Sequence, residues 1–169
     1  QGFSTSNRQT RTLDNKNNTL FEEFVRFVRD LSPEWFLFEN VEGIVSFNKG
    51  KTILEIKKSF EELGYKLASG VLTASDYGVP QNRNRFIMVG NKSGIKFNFP
   101  EKLEEKISVS EAICDLPDLK NGQMEETLPY NGDASQYGKK LRNGTKMALQ
   151  NFVSRNQDYV IERYKYIKP

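Results

Sequence analysis

The sequence contains no histidine and a single cysteine, Cys114, among its 169 residues. The lack of histidine excludes a Ser–His–Asp triad, an imidazole general base and histidine metal ligands within these residues. One cysteine cannot form an internal disulfide framework or a cysteine-rich zinc site. Acid–base chemistry in this chain therefore depends on carboxylates or other groups.

Long apolar runs and a strong charge imbalance are missing as well. No run approaches the roughly 20 apolar residues that span a bilayer, so we predict no membrane-spanning helix. The 25 basic and 22 acidic residues leave a net charge of +3, which by itself does not indicate nucleic-acid binding. Hydrophobic residues make up 37% of the chain, which is enough to form a packed core.

The first part of the chain alternates between helical and strand-like patterns. Apolar residues at helical spacing predict a helix over 19–31, with a capping box at Thr19 and an end at Ser32–Pro33. The run Trp35–Phe38 is apolar on both faces, which favours a central strand of a parallel sheet. Glu39 and Asn40 end this run at its carboxyl end, where ligands bind in open α/β sheets.

Further elements follow in a β–α–β order. We predict a helix over 50–63 with Gly64 as its stop, a strand near 65–73 and a strand from Arg85 to Val89. Helix-length connections between strands indicate the α/β fold class.

The pattern weakens after Pro100. A short helix near 110–114 and a last helix over 158–167 are predicted, whereas 120–144 is rich in Gly, Asn, Asp and Ser and is predicted to be irregular. A domain boundary is expected near 100–120. Residues 1–17 carry Arg8, Arg11 and Lys16 among small polar residues, which is typical of a mildly basic loop.

Three short segments lie where strands meet loops: Gln1–Ser4, Glu39–Val41 and Gln81–Arg85. Taken singly, they also fit an ordinary loop, a helix cap and a solvated basic face. Taken together and in this order, they resemble the DNA cytosine-5 methyltransferases, particularly the prokaryotic modification enzymes. In that family a strand ends in Pro-Cys-Gln-(Gly/Ala)-Phe-Ser, Glu-Asn-Val follows, and Gln-x-Arg-x-Arg precedes an apolar strand.

The resemblance is strong over 1–90 and also includes Asp14, Thr19–Phe21, Leu63–Tyr65 and Asp76–Pro80; a weaker match covers 160–169. It implies a partial Rossmann-like methyltransferase sheet with helices on both faces, followed by an irregular C-terminal segment. On this basis 1–100 is part of the catalytic domain, and 101–169 is a connecting segment and the start of the target-recognition region. The family's nucleophilic cysteine would stand immediately before Gln1, so we expect the chain to be a fragment that is inactive alone.

The resemblance also implies roles at the reacting base. Glu39, with a pKa raised by burial, would donate or share a proton at N3 of a flipped-out cytosine. Arg85 would donate to cytosine O2 and the adjacent phosphate, and Arg83 on the same strand face would contact phosphate or support Glu39. Asn40 would orient the turn behind Glu39, and Gln81 would support its loop.

Contacts with DNA and cofactor are implied as well. The loop over 1–17 would close over DNA through Gln1, Ser4, Ser6, Arg8 and Arg11. Leu20 resembles the family position that packs on the adenine ring of S-adenosylmethionine. No metal is implied, and Cys114 is interpreted as a buried structural thiol rather than the nucleophile.

The resulting hypothesis is a fragment of a cytoplasmic bacterial DNA cytosine-5 methyltransferase of a restriction–modification system. Its expected partners are double-stranded DNA with a short specific target, a cognate restriction endonuclease and the remainder of the same protein. Two alternatives remain open: a non-catalytic relative that binds DNA or a partner enzyme, and one half of a split methyltransferase.

Overall fold

The computed structural model describes Phe3 and residues 20–167. The chain forms two compact units, Gln1–Lys106 and Ile107–Pro169. The first unit contains, in chain order, α1 (Leu20–Leu31), β1 (Trp35–Val41), α2 (Gly43–Ser46), a 3-10 segment (Phe47–Gly50), α3 (Lys51–Glu62), β2 (Lys66–Thr73), a second 3-10 segment (Ala74–Tyr77) and β3 (Asn84–Asn91). The second unit contains α4 (Val109–Ile113), β4 (Met124–Pro129), α5 (Gln136–Arg142), β5 (Met147–Phe152) and α6 (Asp158–Tyr164).

The predicted ends of the two long helices are confirmed to within a residue. α1 ends at Leu31 because Ser32 takes a φ of 46°, while its N–H donates to the carbonyl of Val28 at 2.9 Å, and proline follows. α3 ends one residue before Leu63, and Gly64 has a φ of 85°, a conformation that favours glycine. The capping box proposed at Thr19 lies outside the described residues.

The α/β class is confirmed, but the predicted position of the first strand is wrong. The three-stranded sheet has the order β1-β3-β2, and β3 is antiparallel to both neighbours. Among the described residues, β1 is therefore an edge strand with an antiparallel partner, not a central strand of a parallel sheet. Its apolar run was misleading because Phe36 and Phe38 are buried whereas Leu37 is 59% exposed.

The core of the first unit lies between the sheet and its helices. Phe60 of α3 is fully buried, and its ring centroid is 4.4 Å from that of Phe36 and 6.0 Å from that of Phe24 on α1. The opposite sheet face carries an extended segment in the described residues, where the Trp35 ring contacts Phe97 with centroids 6.4 Å apart. The Glu39 side of β1 therefore faces away from the helices.

Gly90 on β3 makes room for a core aromatic ring. It lies opposite Phe36 in the β1–β3 register, and a Cβ at Gly90 would overlap three carbons of the Phe36 ring. That ring is held by Phe60 and by Tyr65, whose centroid is 5.0 Å away. We expect Gly90→Ala to lower the free energy of unfolding by about 1–3 kcal/mol, because the overpacked ring must move; urea denaturation measures this.

Gly70 on β2 is the matched control for Gly90. A Cβ at Gly70 would meet Phe99 at 3.8 Å, an ordinary van der Waals contact. Gly70→Ala should therefore leave stability within about 1 kcal/mol of the wild type or raise it slightly. Equal destabilisation by the two substitutions would contradict the steric explanation for Gly90.

The second unit is more regular than its composition predicts. Residues 120–144, predicted to be irregular, contain β4, which pairs antiparallel with β5, and α5, whose first turn is capped by the Ser135 hydroxyl accepting from the Gly138 N–H at 2.9 Å. Arg142 forms an ion pair with buried Asp115, and its guanidinium lies 3.8 Å from the centre of the Tyr130 ring. These contacts join residues distant in sequence, so a local pattern does not reveal them.

The last helix begins at Asp158 as predicted but ends at Tyr164 rather than Ile167. Cys114, predicted to be a buried thiol, is exposed. The prediction failed because α4 buries none of its residues, so its amphipathic pattern does not mark a core-facing helix.

Candidate active site

Glu39 and Arg85 meet where β1 ends and β3 begins. In the antiparallel register Val41 pairs with Arg85 and Glu39 pairs with Ile87, so Glu39 and Arg85 are diagonal neighbours on one sheet face. Their side chains form an ion pair, with Arg85 Nε 2.7 Å from Glu39 Oε1. A carboxyl group and a guanidinium group are thus presented together at one end of the sheet.

The expected burial of Glu39 is wrong for the described residues. Its side chain is 50% exposed, whereas that of Arg85 is 23% exposed. The reason is geometric: alternation along β1 directs Phe36 and Phe38 towards the helices and Glu39 towards the other face. The carboxyl group is therefore open to a molecule approaching that face.

Asn40 acts on the backbone directly behind Glu39. Its Oδ1 accepts a hydrogen bond from the Val41 N–H at 2.9 Å. This contact holds the chain at the end of β1.

Sequence reasoning missed two residues beside the site, Glu42 and Asn84. Asn84 Nδ2 donates to Glu42 Oε2 at 2.9 Å, which joins the residue just after β1 to the first residue of β3. Arg85 Nη1 also donates to the carbonyl oxygen of Asn84 at 2.8 Å. The only sequence signal was adjacency to the two motifs, because the contact depends on the strand register.

Arg83 and Gln81 lie in the loop that leads into β3. Since β3 begins at Asn84, the strand period does not extend to Arg83, and Glu39 takes its ion pair from Arg85 instead. The Arg83 N–H donates to the carbonyl of Gln81 at 3.0 Å, and the Arg83 carbonyl accepts from the Ala74 N–H at 2.9 Å. The Gln81 backbone thus helps to shape this loop.

Asp76 holds the 3-10 segment that precedes this loop. Its carboxyl group is 11% exposed and forms ion pairs with Lys102 Nζ at 2.8 Å and Lys106 Nζ at 3.0 Å. Hydrogen bonds from Lys102 and then Lys106 hold the pKa of Asp76 below its ordinary value. The Leu103 N–H also donates to the Asp76 carbonyl at 2.8 Å, so segment 102–106 is tied to the loop between β2 and β3.

The remaining predicted contacts fall elsewhere. The candidate DNA-contacting residues Gln1, Ser4, Ser6, Arg8 and Arg11 lie outside the described residues. Leu20, the candidate adenine contact, begins α1 and is 61% exposed. Phe3 of the first motif is buried, with its ring 5.0 Å from that of Phe47.

Phe3 and residues 20–167 contain no group of three His, Cys, Asp or Glu side chains that could hold a metal ion. None of their helices is long and apolar enough to cross a membrane.

Residues 1–168 match the family model of C-5 cytosine-specific DNA methylases. Type II methyltransferase M1.HphI of Haemophilus parahaemolyticus is 41% identical over 143 residues, covering 83% of this chain and 38% of the relative. Type II methyltransferase M.DdeI of Desulfomicrobium norvegicum is 35% identical over 179 residues, covering 99% of this chain and 43% of the relative. The chain therefore spans about two fifths of the length of these curated relatives.

Among solved structures, the chain is similar to the crystal structure of a protein described as a DNA modification methyltransferase encoded within an E. coli prophage. The TM-score is 0.65 at 23% identity, and the match covers 92% of this chain and 52% of the other. Likeness at this level of identity concerns the fold alone.

Proposed function

Because the chain belongs to the C-5 cytosine-specific DNA methylase family, we propose that it is the part of a DNA cytosine-5 methyltransferase that presents an acid and an arginine to the target cytosine. The observation that carries this proposal is the ion pair between Glu39 and Arg85, 2.7 Å apart at the end of β1. The pair joins the second and third family motifs at one exposed point of the sheet.

The chemistry requires an acid beside the pyrimidine ring. Carbon 5 of cytosine is a poor nucleophile until a cysteine thiolate adds to carbon 6, and that addition moves electron density towards N3. We assign Glu39 to donate or share a proton at N3. Arg85 donates a hydrogen bond to O2 and to the adjacent phosphate, which stabilises the charge that develops on the ring.

The exposure of Glu39 fits a base that arrives from outside. A cytosine within duplex DNA must leave the stack before an enzyme can reach its ring. In this proposal the flipped base covers the carboxyl group that the described residues leave half-exposed. Water is then displaced from Glu39 only when the substrate is in place.

S-adenosylmethionine, when bound, supplies the methyl group that carbon 5 receives. Leu20 remains the proposed contact for its adenine ring; the exposure of this apolar side chain, 61% at the start of α1, supports that proposal. The proposed DNA contacts remain Gln1, Ser4, Ser6, Arg8 and Arg11, all of which precede α1 in the sequence. Arg83 remains a proposed phosphate contact.

We place the parent protein, meaning the complete reading frame that contains this chain, in the bacterial cytoplasm. Its proposed partners are duplex DNA with one short target and a cognate restriction endonuclease. The relatives at 41% and 35% identity are named Type II methyltransferases, which supports this assignment.

Expression of the parent protein in a methylation-free bacterial host, followed by bisulfite sequencing of the host DNA, tests the proposal. We expect 5-methylcytosine at one short sequence. A polypeptide of the 169 residues alone, incubated with duplex DNA and labelled S-adenosylmethionine, should give no turnover, because its single cysteine, Cys114, is not in the Pro-Cys-Gln motif that carries the family's nucleophile. Absence of methylation from a soluble parent protein would instead favour a non-catalytic relative or a split enzyme.

A further inference from the structure

Side-chain contacts on both faces of the sheet join the end of β1 to the start of β3. The Glu39–Arg85 ion pair lies on one face. Successive residues of a strand point to opposite faces, so Asn84 projects away from the Arg85 side. There its Nδ2 reaches Glu42 Oε2 at 2.9 Å.

The Asn84–Glu42 hydrogen bond continues the ladder beyond its last backbone pair. The β1–β3 register ends with Val41 opposite Arg85, and Glu42 follows outside the strand. Terminal strand pairs fray readily unless something holds them. Arg85 is in that terminal pair, so the placement of its guanidinium group depends on whether the pair stays closed.

A second contact links the position of Asn84 directly to the guanidinium group of Arg85. Arg85 Nη1 donates to the carbonyl oxygen of Asn84 at 2.8 Å, while Arg85 Nε forms the ion pair with Glu39. Movement of Asn84 would therefore displace the oxygen that orients Arg85. Misplacement of a catalytic group by about 1 Å can lower a rate about a hundredfold.

We propose that Asn84 and Glu42 are positioning residues, which hold Arg85 on Glu39 in the orientation needed at the cytosine ring. This inference rests on the function proposed above and extends it to two residues that do not touch the base. The pair acts before the substrate binds, because its hydrogen bond is present in the protein alone.

Asn84→Asp tests the pair by placing two carboxyl groups where a donor and an acceptor now meet. In the parent enzyme, assayed with labelled S-adenosylmethionine on its mapped DNA target, we expect kcat to fall about tenfold, with KM for DNA within about twofold. The double variant Asn84→Asp with Glu42→Gln places an amide donor opposite the new carboxyl group, so it should recover most of the lost kcat.

The control is Asn98→Asp, which makes the same change at an exposed residue of unit 1 outside the strands. It should leave kcat unchanged. The positioning role would be overturned if Asn84→Asp kept the wild-type kcat, or if the double variant did not recover the lost kcat. It would also be overturned if Asn84→Asp raised KM as much as it lowered kcat and also lowered the thermal midpoint. An inactive wild-type parent would overturn the proposed function, and this inference with it, whereas an active wild type with an unaffected Asn84→Asp would overturn the inference alone.

Discussion

Substitution of Glu39 by glutamine in the parent enzyme should lower kcat for methyl transfer by about a hundredfold to ten-thousandfold, the range typical of a lost general acid or base. Glutamine keeps the size of the side chain but has no carboxyl proton to share at N3. The substitution also removes the charged partner of Arg85, whose Nε lies 2.7 Å from Glu39 Oε1 in the wild type. Single-turnover assays with labelled S-adenosylmethionine measure the chemical step, and DNA binding should change by only a few fold.

Glu34→Gln is the control for this experiment. Glu34 is exposed and directly precedes β1, at the end of the strand remote from Glu39. The Glu34 backbone carbonyl accepts a hydrogen bond from the Lys92 N–H at 3.1 Å, and the substitution leaves that group intact. Activity in Glu39→Gln equal to that of Glu34→Gln would remove Glu39 from the proposed mechanism.

Phe60→Ala should be the most destabilising single truncation in the first unit, costing about 3–5 kcal/mol of unfolding free energy. Phe60 is fully buried, and its ring lies against Phe36, Phe24 and Phe38 with centroids between 4.4 and 6.4 Å apart. Removal of the ring leaves a cavity between α3, α1 and the sheet. Urea denaturation followed by circular dichroism gives the loss as a shift in midpoint at constant slope.

Leu54→Ala on the same helix separates this effect from helix propensity. Leu54 is 65% exposed, so its truncation should change stability by about 0.5 kcal/mol or less. A cost for Phe60→Ala below about 1 kcal/mol would mean that Phe60 is not at the centre of the core. The strand that carries Glu39 would then have weaker support from the helices than this packing predicts.

Local patterns were sufficient to predict the two long helices and the three strands of the first unit, but not α2 or the two 3-10 segments. The apolar spacing from Leu20 to Leu31 predicted α1, and Ser32–Pro33 and Gly64 marked the ends of α1 and α3. These signals are local because a helix stop depends on the φ and ψ of one or two residues. The strands β2 and β3 were also placed within one or two residues of their observed bounds, because runs of apolar and β-branched residues mark strands locally.

The candidate site was predicted only in part. The sequence singled out Glu39 and Arg85, and they lie together in the structure. It predicted a buried acid and a central parallel strand, because an apolar run does not reveal which face is covered or which strand lies beside it. It also placed Arg83 on the same strand face as Arg85, although β3 begins at Asn84 and so contains only Arg85.

Residue identity and local spacing thus determined the order of the long helices and strands in the first unit and the chemical groups available at the site. Strand order, register and burial were decided by the tertiary structure. The hydrogen bond between Asn84 and Glu42 joins residues 42 positions apart. The ion pair of Arg142 with Asp115 involves a segment that its composition predicted to be irregular. Such contacts arise only when non-local backbone pairing brings the partners together, because neither residue carries a local preference for the other.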